Sequence, residues 1–188
     1  MVPMRRVHRE IQDPDAIHAL IDACQTVRIG ATDDHGPFVV PMSFGYVWDE
    51  EAWQKMRDGS TEHPVPLRLY LHSATDGRKT HCFAASPRVA IEVDRELGVI
   101  TDSYACAYSY SYQSLMGAGT IVPIEDEADK AEALAHLMEH MAPGAPTSFL
   151  PEAMARVACW RIDVDELSGK ERYPKGYRGS YLLPHTSG

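Results

Sequence analysis

The sequence predicts a mainly β domain with helices, a small barrel carrying helices at its ends, and three observations point to that class. Short runs alternate apolar with polar residues, the pattern of half-buried strands. Those runs follow one another largely through turns, with too few helices between them for a doubly wound parallel sheet. The 188 residues, 44% of them apolar, supply one core and leave little for a second, so 1–188 reads as a single domain.

Residues 1–12 read as an N-terminal arm. A helix is expected over 14–25: Asp13 can cap it, Pro14 suits its first position, and Ile17, Leu20, Ile21 and Cys24 make one apolar stripe. Thr26–Thr32 reads as a strand with Val27, Ile29 and Ala31 on one face. A turn at 33–36 leads to further strands over 38–42 and 43–48. The charged, proline-containing segment 49–66 reads as an inserted surface loop with one helical turn near 52–56.

Strand 67–72, a short helix over 77–85 and strand 89–94 follow. Residues 99–117 are rich in Ser and Tyr, and another strand is expected over 119–124. The longest helix should span 127–141, capped by Asp126. Its buried stripe is read as Leu134, Leu137, Met138 and Met141, with Glu132, His136, Glu139 and His140 turned to solvent. Strand 157–164 closes the regular structure, and 173–188 is an irregular C-terminal tail.

A net charge of −9 argues against general binding to nucleic acid or to anionic membranes, both of which need a basic face. The four cysteines, Cys24, Cys82, Cys106 and Cys159, are scattered with no Cys-x-x-Cys pair, so they read as reduced thiols. No membrane-length apolar run occurs, and the first residues lack an apolar leader core, which makes a cytoplasmic protein the expectation.

The chemistry concentrates in 69–87, LYLHSATDGRKTHCFAASP. Arg78 and Lys79 stand at the start of a helix, where the macrodipole favours carboxylates. Cations there make sense if an anion sits among them. The strand-end Ser73 hydroxyl, the Gly77 turn and the two basic side chains together describe a phosphate cradle. The alternative is that Arg78 and Lys79 point to water while Asp76 caps the helix.

Five segments in order, RIGATDDHGPFVVPMSFGY (28–46), LYLHSATDGRK (69–79), RVAIEVD (88–94), YSYQSLMGAGT (110–120) and, more loosely, 126–141 with 161–172, resemble the flavin-binding split-barrel superfamily of pyridoxamine 5'-phosphate oxidases. Within it they are most similar to the nitroimidazole-resistance branch. The resemblance implies a homodimer of six-stranded split β-barrels with FMN at the interface. It implies that His72, Ser73, Ala74, Arg78 and Lys79 hold the phosphate, with Arg28 a weaker candidate. It further implies that Pro41, Met42 and Ser43 run along the ring while Tyr112 and Ser114 approach its other side. The function implied is an FMN-dependent, nitroreductase-like oxidoreductase. It would take electrons from NADH or NADPH to a flat acceptor such as a 5-nitroimidazole, with His72 as the candidate catalytic group. A flavin- or haem-binding carrier is the alternative, since relatives of this superfamily bind haem or a deazaflavin.

Two other features carry weaker chemistry. His136 and His140 have the i, i+4 spacing of a metal pair, but no third ligand is evident and their face reads as solvated. The Tyr/Ser run at 104–114 lacks a Gly-x-Ser-x-Gly elbow and suits an extended edge lining a ligand. Cys106 within it reads as a buried structural cysteine, with a redox thiol as the alternative.

Overall fold

A computed structural model describes residues 5–59 and 64–177. Its helices are α1 (Pro14–Ala23), α2 (Glu50–Arg57), α3 (Arg78–Ala85), α4 (Glu127–Met141) and α5 (Pro151–Met154). Its strands are β1 (Glu10–Ile11), β2 (Val27–Asp33), β3 (Gly36–Met42), β4 (Gly45–Trp48), β5 (Leu67–Ala74), β6 (Arg88–Ile100), β7 (Ser109–Ile124) and β8 (Val157–Arg172). They form one antiparallel sheet in the order β3-β2-β6-β7-β8-β5-β4, with β1 added on β8. The sheet therefore has eight strands where the resemblance implied six. The smallest addition, β1, draws part of the expected N-terminal arm into the sheet.

The chain ties the two ends of that order together. It leaves β3, one edge of the sheet, and enters β4, the other edge, through Ser43 and Phe44. The sheet curls on itself but β3 and β4 do not pair, so the barrel is split between them. Inward-facing Val27, Ile29, Leu69, Leu71, Ile91, Leu115, Ile121, Ile162 and Val164 fill it, each at most 3% exposed. Helix α1, capped by the Asp13 carboxylate, adds Ile17, Leu20 and Ile21 to the same core.

Three strands run well past their expected ends. β7 begins ten residues early because its pattern is inverted: the small polar Ser111 and the amide Gln113 point inward, and Tyr110 and Met116 point out. Ser111 is made tolerable inside by donating its hydroxyl to the Arg172 carbonyl at 2.7 Å. β6 and β8 extend alongside to pair with it.

Segment 49–66 is not simply a loop. The Asp49 carboxylate caps the eight-residue α2 by accepting from the Ala52 N–H at 2.9 Å. Trp53, 2% exposed, anchors that helix in the core against Trp48. A buried indole pins this helix to the barrel end, so the segment is a helix where a loop with one helical turn was expected; residues 60–63 lie outside the described residues.

Helix α4 has the expected bounds but a different face inward. Ala133 and Leu137 are buried, while Leu134, Met138 and Met141 are half-buried. Gly45 explains the rotation. A Cβ there would lie 2.3 Å from the Leu137 nitrogen, so its absence lets the α4 backbone rest directly on β4. His136 and His140 consequently face the sheet. His136 stacks on Tyr70 with ring centroids 4.8 Å apart, and His140 packs on Phe44 at 4.5 Å. The solvated reading of this pair is thus corrected.

Candidate functional site

The split is where backbone remains unspent. Among the described residues β3 pairs only with β2, so one side of 36–42 has no strand partner there. On the opposite lip, β4 covers β5 only as far as Gly45↔Tyr70, whereas β8 follows β5 to Ala74↔Val157. Residues 71–74 therefore also have an uncovered edge. If the β4–β5 ladder continued, Ser43 would stand opposite His72; instead the chain turns away and leaves a gap. Pro41, Ser43, His72 and Ala74 are exposed around it, while the Met42 side chain is buried in the core and has only its backbone to offer.

Helix α3 starts beyond the end of β5, and its N-terminus differs from those of α1, α2 and α4. Those three are each capped by an aspartate. α3 has Gly77 at its cap position, with φ of 128° and no side-chain cap. A glycine tolerates that backbone, and a Cβ there would meet nothing within 4 Å, so the space in front of the helix is open. Asp76 does not cap it: its carboxylate lies 3.0 Å from His81 Nε2. First-turn N–H groups and the positive end of the dipole thus remain available.

The two cations at this corner have separate fates. Arg78 makes a two-pronged bond to Asp33, Nε to Oδ2 at 2.7 Å and Nη2 to Oδ1 at 2.8 Å, and Nη2 also donates to the Gly36 carbonyl at 3.1 Å. Its guanidinium lies over the Phe38 ring at 4.4 Å. That pairing holds the Asp33 carboxyl down to about 2. Lys79 is half-buried, and no carboxylate pairs with it among the described residues. Lys79 is therefore the cation free for an anion, and Arg78 chiefly clips the β2–β3 turn to α3.

Two other expected donors are also engaged. Ser73 is 7% exposed; its hydroxyl accepts from Trp160 Nε1 at 3.1 Å and donates to the Ala74 carbonyl at 2.9 Å. It braces β5 against β8, so the expectation of a free Ser73 hydroxyl is corrected. Arg28 reaches Glu92 at 2.9 Å and also binds Asp94.

Tyr112 and Ser114 are half-buried on the outer face of β7, opposite Glu96 and Asp94 of β6. Nearer α3 that same face carries a feature missed in the sequence. Val39, Gly30, Ala90 and Ala118 stand in register across β3, β2, β6 and β7. Their small side chains floor a cleft of about 770 Å³ that Phe38 and Arg88 also line. A second cleft of about 770 Å³ lies between the β2–β3 turn and α3, and the two share Thr32 and Ser86. The signal was present as small residues at outward strand positions, which alternation analysis reads only as "not core". Among the described residues no group of three or more His, Cys, Asp or Glu could hold a metal ion.

The family model for pyridoxamine 5'-phosphate oxidase matches residues 13–171. The chain belongs to that family. A protein provisionally assigned to 5-nitroimidazole antibiotic resistance, from Bacteroides thetaiotaomicron, is 31% identical over 86% of each chain, with a TM-score of 0.67. A flavocytochrome from Azotobacter vinelandii is 23% identical, covering 92% of this chain and 73% of that one, with a TM-score of 0.70. An FAD- and haem-binding protein from Mycobacterium smegmatis is 19% identical, covering 92% and 76%, with a TM-score of 0.71. No curated protein matches.

The pyridoxamine 5'-phosphate oxidase family binds flavins, and this member has its split-barrel fold in the nitroimidazole-resistance branch. Its residues fit an anionic flavin tail at one corner: Lys79, the uncapped α3 N-terminus and the open space before Gly77. No helix among the described residues is long and apolar enough to cross a membrane.

Proposed function

We propose that this family member binds FMN and is an oxidoreductase, passing electrons from NADH or NADPH to a small flat acceptor such as a nitroaromatic. The observation that carries the reading is the Gly77 N-terminus of α3, left without a side-chain cap and flanked by Lys79, which pairs with no carboxylate among the described residues. A phosphate there accepts from first-turn N–H groups and from the lysine ammonium. The unspent backbone edge of β3 supplies donors and acceptors for the polar rim of a flat ring, near Pro41 and Ser43. Bound there, the flavin would supply the hydride chemistry. The chain's own part is to hold and orient the ring and to limit water on one face.

A second copy of the chain would cover the other face. Val39 and Met116, 66% and 62% exposed, stand on the outer face of the sheet, and Tyr108 and Val99 are also exposed. Apolar exposure on one sheet face suits an interface. Tyr112 and Ser114 lie on that face and would reach the partner's cofactor.

The test is the absorbance of the purified protein, followed by flavin titration of Lys79→Ala. Flavin bands, about tenfold weaker FMN binding in the variant and little change in riboflavin binding are expected. Equal losses for FMN and riboflavin would remove the phosphate assignment. NADH or NADPH oxidation that depends on an added nitroimidazole separates an enzyme from a carrier, and a Soret band in place of flavin bands would overturn the cofactor.

A further inference from the structure

A third cleft lies between α1, β4 and α4 and shares no lining residue with the two beside α3. It holds about 380 Å³ and is lined by His18, Asp22, Tyr46, Trp48, His136, Glu139 and His140. That volume falls within the range of small-ligand pockets, about 300–1,000 Å³. Four of its seven lining side chains, His18, Tyr46, Trp48 and His140, form a continuous aromatic wall. His18 stacks near-parallel to Trp48 at 6.3 Å and edge-on to Tyr46 at 5.7 Å, and Tyr46 meets His140 edge-on at 5.0 Å. Among the described residues no Lys or Arg lines the cleft, and its two acidic side chains are the carboxylates of Asp22 and Glu139.

The polar groups of the wall are already oriented. Tyr46 donates its hydroxyl to Asp22 Oδ1 at 3.2 Å, and His18 Nε2 lies 3.1 Å from the same hydroxyl. Burial, then Asp22, pushes the Tyr46 hydroxyl pKa well up, so it stays a neutral donor. His140 places Nδ1 2.7 Å from the Phe44 carbonyl and Nε2 3.3 Å from the Asp22 carbonyl. A neutral imidazole carries one N–H, and given to the Phe44 carbonyl at the shorter distance it leaves His140 an uncharged part of the wall. Glu139 has no partner among the described residues.

We propose that this cleft binds a small organic cation, a quaternary ammonium or a protonated amine. Aromatic faces attract such a charge through their quadrupoles, and carboxylates at the rim complete the recognition.

Titration calorimetry with choline, against its uncharged isostere 3,3-dimethylbutan-1-ol, tests the assignment on the intact protein. Saturable choline binding is expected, with the alcohol about tenfold weaker or more. Asp22→Asn with Glu139→Gln should weaken choline by a similar factor. Equal binding of choline and the alcohol, or no saturable heat, would overturn the proposal. So would unchanged choline binding in the folded double variant. Should the double variant fail to fold, the isostere comparison on the unaltered chain decides alone. Flavin absorbance of the same samples reports the α3 corner separately, so failure of one site is not read as failure of the other.

Discussion

Arg78 and Asp33, 45 positions apart, close a two-pronged ion pair that fastens the β2–β3 turn to the first residue of α3. A cation at a helix N-terminus is electrostatically misplaced, and the carboxylate is what makes it tolerable. The pair also divides labour between neighbours. Arg78→Ala should loosen the turn and lower the melting temperature with a small effect on flavin affinity, while Lys79→Ala should lower affinity and leave the melting temperature nearly unchanged. Paired thermal melts and flavin titrations check this; equal effects of the two on affinity would mean that Arg78 leaves Asp33 for the ligand.

The same pair sets a pH dependence. The Asp33 carboxyl is drawn from 3.8 to about 2, chiefly by the Arg78 hydrogen bonds. A carboxyl depressed on folding adds stability above its unfolded value and loses it as pH falls through the folded one. The contribution should be full above 3.8 and fade toward 2. Asp33→Asn should flatten that part of the acid-stability profile measured by denaturant titration, and an unaltered profile would show the pair to be energetically idle.

The buried indole of Trp53 holds α2 to the barrel, and its N–H finds no acceptor among the described residues. Trp53→Ala removes a large core side chain and should cost about 3–5 kcal/mol. Trp53→Phe keeps most of the apolar contact and deletes the orphaned donor, so it should cost far less. Chemical denaturation of both variants checks the order. Similar losses would show that indole volume outweighs the orphaned donor.

Most of the frame was legible in the sequence because it rests on local signals. Alternation marked the seven longer strands, and aspartate caps marked α1 and α4. What escaped were decisions taken across the fold. Nothing near Ser111 announces that a serine will face inward and bond Arg172, 61 residues away. Trp53 sits in a strongly charged segment, so only packing reveals α2 as an anchor. At the candidate site, the basic pair at 78–79 was legible at a helix start, but which cation is free depends on Asp33, and whether Ser73 is free depends on Trp160. Those partners are distant in sequence, and no spacing rule connects them.

Gly45 is where α4 touches the sheet. A methyl group added there would lie 2.3 Å from backbone atoms of His136 and Leu137, and backbone cannot turn aside as a side chain can. Gly45→Ala should therefore displace the helix and cost about 1–3 kcal/mol or more. Because α4 carries His136 onto Tyr70 and His140 onto Phe44, near-ultraviolet circular dichroism should change along with stability. A normal spectrum with normal stability would mean that the contact is looser than described.

The cysteines differ in chemistry as well as place. Cys24, Cys82 and Cys159 are buried and Cys106 is exposed, all four as free thiols. Burial pushes Cys24 up to about 11, and it raises Cys82 and Cys159 as well. The thiolate is the reactive form, so burial blocks both access and ionisation at these three positions. A thiol reagent at neutral pH should modify one cysteine quickly in the native protein and four after denaturation, and Cys106→Ser should abolish the fast phase. A fast phase that survives this substitution would show that the barrel opens enough to expose one of the inner three, the behaviour expected if the split widens in solution.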